Sequence, residues 1–137
     1  MRSTHRAVRS AIGVTTGLAL ALSGALPASA ATWTLRDVNQ RICVAAQYGH
    51  PGTYFLAPVV GSWSTTITTG VRNLPPGSSS VGGTPIPPGS NYGTNVNGFV
   101  QVTIAPAPVG EYSAEVWASD GAETQSVPVA ISIRDSC

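Results

Sequence analysis

The chain has 137 residues, 42% of them hydrophobic and only 9% charged, with seven basic residues, all arginine, against six acidic ones. A length of this order suits one domain with a modest core. The sparse charge and the absence of lysine give no electrostatic support to a nucleic-acid partner or to an anionic membrane surface.

The first thirty residues have the make-up of a secretory signal peptide. Arg2, Arg6 and Arg9 supply a positive start, and Ala11 to Leu26 form an apolar stretch interrupted by Gly13, Gly17 and Gly24. Pro27 breaks that stretch, and Ala28-Ser29-Ala30 has the small residues a signal peptidase reads, so cleavage is expected after Ala30. The rival reading is an uncleaved anchor, for which the apolar run is short. Residues 31–137 are then expected to form a single domain, released and extracellular. They keep Arg36, Arg41, Arg72 and Arg134 against Asp37, Glu111, Glu115, Asp120, Glu123 and Asp135, a net charge of −2.

After Ala31 no apolar stripe of helical period appears, whereas period-two patterns bounded by Gly, Pro, Asn and Asp recur. Strands are predicted near Thr32 to Val38, Arg41 to Tyr48, Thr53 to Val60, Trp63 to Val71, Phe99 to Ala105, Glu111 to Ser119 and Ala122 to Arg134. Cys43 and Cys137, in an oxidising compartment, predict one disulfide. Closing so long a loop restricts the unfolded chain by about 3–5 kcal/mol in the entropic account. Cys43 has the opposite parity to Ile42 and Val44, which calls for a bulge or a strand end at the bridge.

Gly61-Ser62 suits a type II′ turn, predicting a hairpin that sets Val60 against Trp63, Leu56 against Ile67 and Tyr54 against Thr69. Pro58 cannot donate to a ladder, so its strand is expected at a sheet edge or with a bulge. Residues 73–95, rich in proline and glycine, read as a long loop, either functional or disordered, and not as a central strand. Asp120-Gly121 predicts a tight last hairpin that pairs Ala114 with Val127, Tyr112 with Val129, Trp117 with Thr124 and Glu115 with Ser126. Its core face would carry Val127, Val129, Ile131 and Ile133.

The run Val109-Gly110-Glu111-Tyr112 through Trp117 to Gly121 resembles the late strand pair of immunoglobulin-like sandwiches, especially the polycystic-kidney-disease-type bacterial extracellular domains. The resemblance implies an all-β, antiparallel sandwich of about seven strands with Tyr112 as a tyrosine corner. It is nearly silent on function. The chain from Trp33-Thr34-Leu35-Arg36-Asp37-Val38 through Gly61-Ser62-Trp63 to the terminal cysteine is also similar to a family of small exported actinobacterial proteins of unknown function.

Candidate chemistry is thin. Glu111 and Glu115 share one face of a strand, but four residues separate their backbones by roughly 13–14 Å, too far for paired-carboxylate hydrolysis. His50 sits in a turn-forming Gly49-His50-Pro51-Gly52, and no Gly-x-Ser-x-Gly elbow accompanies it. One remaining histidine and two bridged cysteines are too few for zinc. Asp37 and Asn39 could lend two oxygens to calcium, or form an Asx turn. No catalytic set, cofactor or metal is therefore expected. The aromatic candidates for binding are Trp117, on the outward face of its strand and either exposed or covered by a neighbour, and Tyr92 in the long loop. The expected function is a secreted, non-enzymatic binding module for an extracellular polysaccharide or a protein. The alternative is a protease inhibitor that presents residues 73–95. Sequencing the N-terminus of protein collected from the medium is expected to read Ala31-Thr32-Trp33; recovery in the membrane fraction with a start at Met1 would favour the anchor.

Overall fold

The computed structural model describes residues 31–137; the expected signal peptide and its cleavage site after Ala30 lie outside the described residues. Eight strands follow one another, β1 (Trp33–Leu35), β2 (Arg41–Ala45), β3 (His50–Trp63), β4 (Thr68–Arg72), β5 (Ser79–Gly83), β6 (Gly89–Ile104), β7 (Gly110–Ser119) and β8 (Thr124–Arg134). They form two four-stranded sheets, ordered β1-β3-β6-β5 and β2-β8-β7-β4, here called the first and second sheet. This is the immunoglobulin-like arrangement, with the opening strand divided so that β1 joins one sheet and β2 the other. Every pairing is antiparallel except β2 with β8, which is parallel.

Alternation dictates the core. Phe55, Ala57 and Val59 of β3, Val100, Val102 and Ile104 of β6, Ala114, Val116 and Ala118 of β7, and Val127, Val129, Ile131 and Ile133 of β8 all point between the sheets and are buried. Trp33 and Trp63 close the cluster. Because side chains alternate, a one-residue slip of any of these strands would turn its whole apolar set to solvent. The tyrosine corner is present: the Tyr112 hydroxyl donates to the Pro108 carbonyl at 2.9 Å.

The last hairpin keeps the expected faces but pairs two residues further along. Ala114 faces Val129, Tyr112 faces Ile131, Trp117 faces Ser126 and Glu115 faces Pro128. The reason lies in Asp120, which does not enter the left-handed region that the expected turn required; Gly121 does, with φ 93°. Asp120 is instead the residue before the turn. Its Oδ1 accepts from the Ala122 and Glu123 amides at 2.9 and 2.7 Å, and its Oδ2 accepts from the Trp33 indole at 2.7 Å.

The expected hairpin at Gly61-Ser62 does not form. Gly61 has φ 121°, and the strand runs on through it with an irregularity between Val59 and Gly61. A glycine that could lead a turn serves here as a bulge. β3 pairs with β1 and β6, while β4 joins the other sheet against β7. Pro58 consequently lies in an interior strand. Its carbonyl accepts from the Arg36 amide at 2.8 Å, so its missing N–H would point the same way, to where β1 has already ended at Leu35.

Residues 73–95 are not a free loop. They contain β5, the start of β6, and a bridge between Ile86 and Ile67 that buries both side chains. The segment is thus tied to both sheets, while Thr84, Pro85, Pro87 and Pro88 beside the bridge stay exposed. Cys43 and Cys137 are bonded, with 5.8 Å between their Cα atoms and 94 residues between them in sequence. No bulge is needed, because Cys43 faces outward between half-buried Ile42 and buried Val44 and meets the C-terminus on that exposed side.

Hydrogen bonds from the turn amides of Glu123 and then the Trp33 indole hold the Asp120 carboxyl below the usual carboxylate range. A depressed value contributes stability that is complete above the ordinary pKa and is lost as pH falls through the folded-state value. Asp120→Ala is expected to destabilise the fold at neutral pH by about 1 kcal/mol, since the part-buried Trp33 indole and Glu123 amide lose their acceptor. The gap between parent and variant melting temperatures should narrow below about pH 4. A gap constant down to strong acid would refute the account.

Candidate functional site

The outward face of the first sheet follows from the same alternation. With Phe55 and Ala57 inside, Tyr54 and Leu56 point out; with Val100 and Val102 inside, Phe99, Gln101 and Thr103 point out. Register sets Leu56 opposite Phe99 and Tyr54 opposite Gln101. Tyr54 and Phe99 thereby become diagonal neighbours, their ring centres 5.4 Å apart and their planes at 69°, an edge-to-face pair. Both rings lie largely in solvent, Tyr54 57% exposed and Phe99 45%.

Beside Tyr54 runs a shallow cleft of about 380 Å³, bounded by Pro51, Ser79, Val81, Gln101 and Thr103. Its walls are fixed by local hydrogen bonds. Thr103 Oγ1 donates to the Pro51 carbonyl at 3.0 Å, and Ser80 Oγ donates to the Gln101 carbonyl at 2.6 Å. The Gly82 amide then donates to Ser80 Oγ at 3.1 Å, holding a bulge in edge strand β5 that leaves Val81 89% exposed.

The two sheets differ sharply in charge. β1, β3, β5 and β6 contain no Asp, Glu, Lys or Arg, whereas the second sheet carries Arg41, Arg72, Glu111, Glu115 and Arg134. There Arg72 Nε meets Glu115 Oε2 at 2.6 Å, and Arg134 Nη2 meets Glu111 Oε1 at 3.2 Å. These pairs are largely exposed and are worth at most about 1 kcal/mol each. Glu111 and Glu115 are thus each occupied with a separate arginine.

Trp117 lies on the outward face of the second sheet, between Ser126 of β8 and Gly70 of β4, and is half-buried. Its ring covers Gly70: a Cβ there would stand 2.6 Å from Trp117 Cε2. Tyr92 belongs to β6, and its side chain lies outside the described residues. Trp117 and the Tyr54–Phe99 pair therefore occupy opposite outer faces of the sandwich. His50 opens β3; its Nδ1 is buried without a hydrogen-bond partner. The Asn39 amide donates to Asp37 Oδ1 at 2.7 Å with Asn39 at φ 55°, an Asx turn. Among the described residues no three of His, Cys, Asp and Glu gather closely enough to hold a metal ion. A second depression, of about 300 Å³, lies at Gln40, Arg41, Tyr112 and Pro128, where the tyrosine hydroxyl is committed to its corner.

Sequence reasoning missed the Tyr54–Phe99 pair because the diagonal contact depends on the β3–β6 register, which joins residues more than forty positions apart. One signal was available. Between Arg41 and Glu111 the only charged residue is Arg72, a bare stretch that supplies β3, β5 and β6 entire.

The covering of Gly70 by Trp117 is open to test. Gly70→Ala is expected to displace the indole and cost about 1–3 kcal/mol. Trp117 should then become more accessible to a collisional fluorescence quencher, while Trp33 and Trp63 stay protected. Unchanged quenching would show that the ring does not rest on Gly70.

No curated protein matches this chain. Among solved structures, the chain is similar to the ASH/PapD-like domain 7 of human CEP192, at 14% identity and a TM-score of 0.36, over 98% of this chain and 100% of that one. The model of a family described as "Family of unknown function (DUF5980)" matches residues 34–135, a span reaching from β1 past the end of β8, and the chain belongs to that family.

Proposed function

We propose that this protein is a secreted, non-enzymatic binding module whose ligand rests on the outward face of the first sheet. The observation that carries the reading is the exposed Tyr54–Phe99 pair beside a preformed cleft. Two aromatic rings held in solvent on a rigid sheet, with half-buried Leu56 beside them, form an apolar patch of the kind that marks interaction sites. The neighbouring amide and hydroxyl groups of Gln101, Thr103 and Ser79 can orient what lies there. Export is supported by the signal-like N-terminus and by the Cys43–Cys137 bridge, which persists in an oxidising compartment.

The face has no structural need for its aromatics. Tyr54→Ala and Phe99→Ala are expected to leave the melting temperature within a few degrees of the parent, since neither ring is in the core. The test is retention of the exported full chain on immobilised extracellular material, insoluble and soluble fractions separately, with Tyr54→Ala, Phe99→Ala and Trp117→Ala copies alongside. Binding lost in the first two and kept in the third is the expected result. Binding lost only with Trp117→Ala would move the site to the second sheet, and binding indifferent to all three would end the reading.

A further inference from the structure

The geometry points to a neutral polysaccharide as the ligand of the first sheet, laid along β6 with a sugar ring against the Tyr54–Phe99 pair; this rests on the binding face proposed above. The sheet's four strands hold no ionisable acid, lysine or arginine. What faces outward beside the rings is amide and hydroxyl: Gln101 opposite Tyr54, Thr103 opposite Ser79, and Asn97 further along β6. Amides and hydroxyls both donate and accept, and so do the hydroxyls of a sugar. A charged polymer would need opposite charges, and this face has none to steer or hold it.

Dimensions agree. From Thr103 to Asn97 the outward positions of β6 cover about 20 Å at roughly 3.4 Å per residue, room for several linked rings. Arg36 reaches in from the loop after β1 to donate to Asn95 Oδ1 at 3.4 Å, beyond the end of the row that lies far from Tyr54. A peptide added as a strand fits less well, since β5, the open edge beside the cleft, is bulged between Ser80 and Gly82 and Ser80 Oγ already takes the Gly82 amide. A protein partner would more commonly meet an arginine within the contact, and here the strands of the sheet carry none.

The experiment uses the exported full chain, collected from the medium, against insoluble cellulose, chitin and β-1,3-glucan, with polygalacturonate as an anionic control. Retention on at least one neutral polymer is expected, little changed by added salt. Tyr54→Ala or Phe99→Ala should weaken it by about tenfold, the equivalent of one lost aromatic contact, and Gln101→Ala by less. Unchanged melting temperatures of the variants show that they fold. No retention on any neutral polymer, or retention only on polygalacturonate that salt abolishes, overturns the inference. Saturable capture of a purified protein that Tyr54→Ala abolishes would also overturn it while leaving the binding face in place. Retention indifferent to Tyr54 and Phe99 would remove both.

Discussion

The N-terminal strand crosses from one sheet to the other, and the order of the sandwich depends on holding that crossing. β1 is only three residues long and lies at an edge, so its backbone has a strand neighbour on one side alone. Side chains supply the other. Gln125 of β8 accepts from the Leu35 amide at 2.9 Å and donates to the Trp33 carbonyl at 3.0 Å, doing for β1 what an adjacent strand would do. Beyond the crossing, Gln40 donates to the Leu56 carbonyl at 2.8 Å and accepts from its amide at 2.6 Å, filling the side of β3 that β1 has left open. With Asp120 on the Trp33 indole, three polar side chains stitch together two layers that otherwise meet through apolar contact. Buried or edge backbone groups demand partners, and here a side-chain amide provides both a donor and an acceptor at one point.

Charge divides along the same boundary. One sheet exposes ion pairs and the other exposes amides, hydroxyls and two aromatic rings. Both coats keep a β-sheet solvated, but they suit different neighbours. An ion-paired face carries its own counterions and is costly to desolvate, whereas a neutral amide face costs less to desolvate provided that each amide finds a new hydrogen-bond partner. The difference is built into composition, since whole strands are without ionisable acids and lysine or arginine.

Much of the fold was legible because period-two alternation is strong wherever one face is buried. The β7 and β8 faces emerged from local pattern, the tyrosine corner at Tyr112 from the resemblance to immunoglobulin-like sandwiches, and the Cys43–Cys137 bridge from there being two cysteines in a chain expected to be exported. The failures share a physical cause. Gly61 can serve a turn or a bulge, and only the distant partner β6 decides between them; the same distance hid β5 and the Tyr54–Phe99 contact. The shift of two in the last hairpin shows how one aspartate changes a turn: preferring to accept the Ala122 and Glu123 amides, Asp120 moved the bend to Gly121-Ala122 without disturbing which residues face inward. As for function, the aromatic positions chosen from sequence depended on exposure, and exposure is a property of the assembled sheets.

The disulfide has a mechanical side. Cys43 and Cys137 enclose all of β3 to β8 in one covalent ring, so tension applied between Ala31 and Cys137 passes through the bridge and bypasses the enclosed chain. Only residues 31–43 can be drawn out straight, an extension of about 40 Å at 3.3–3.6 Å per residue. Such a pull can strip β1 from its edge, yet it leaves the first sheet's aromatic face, carried by β3 and β6, inside the part that bears no load. A pull applied through Ala31 and Cys137 could therefore stretch the segment before Cys43 without surrendering the surface proposed to hold a ligand.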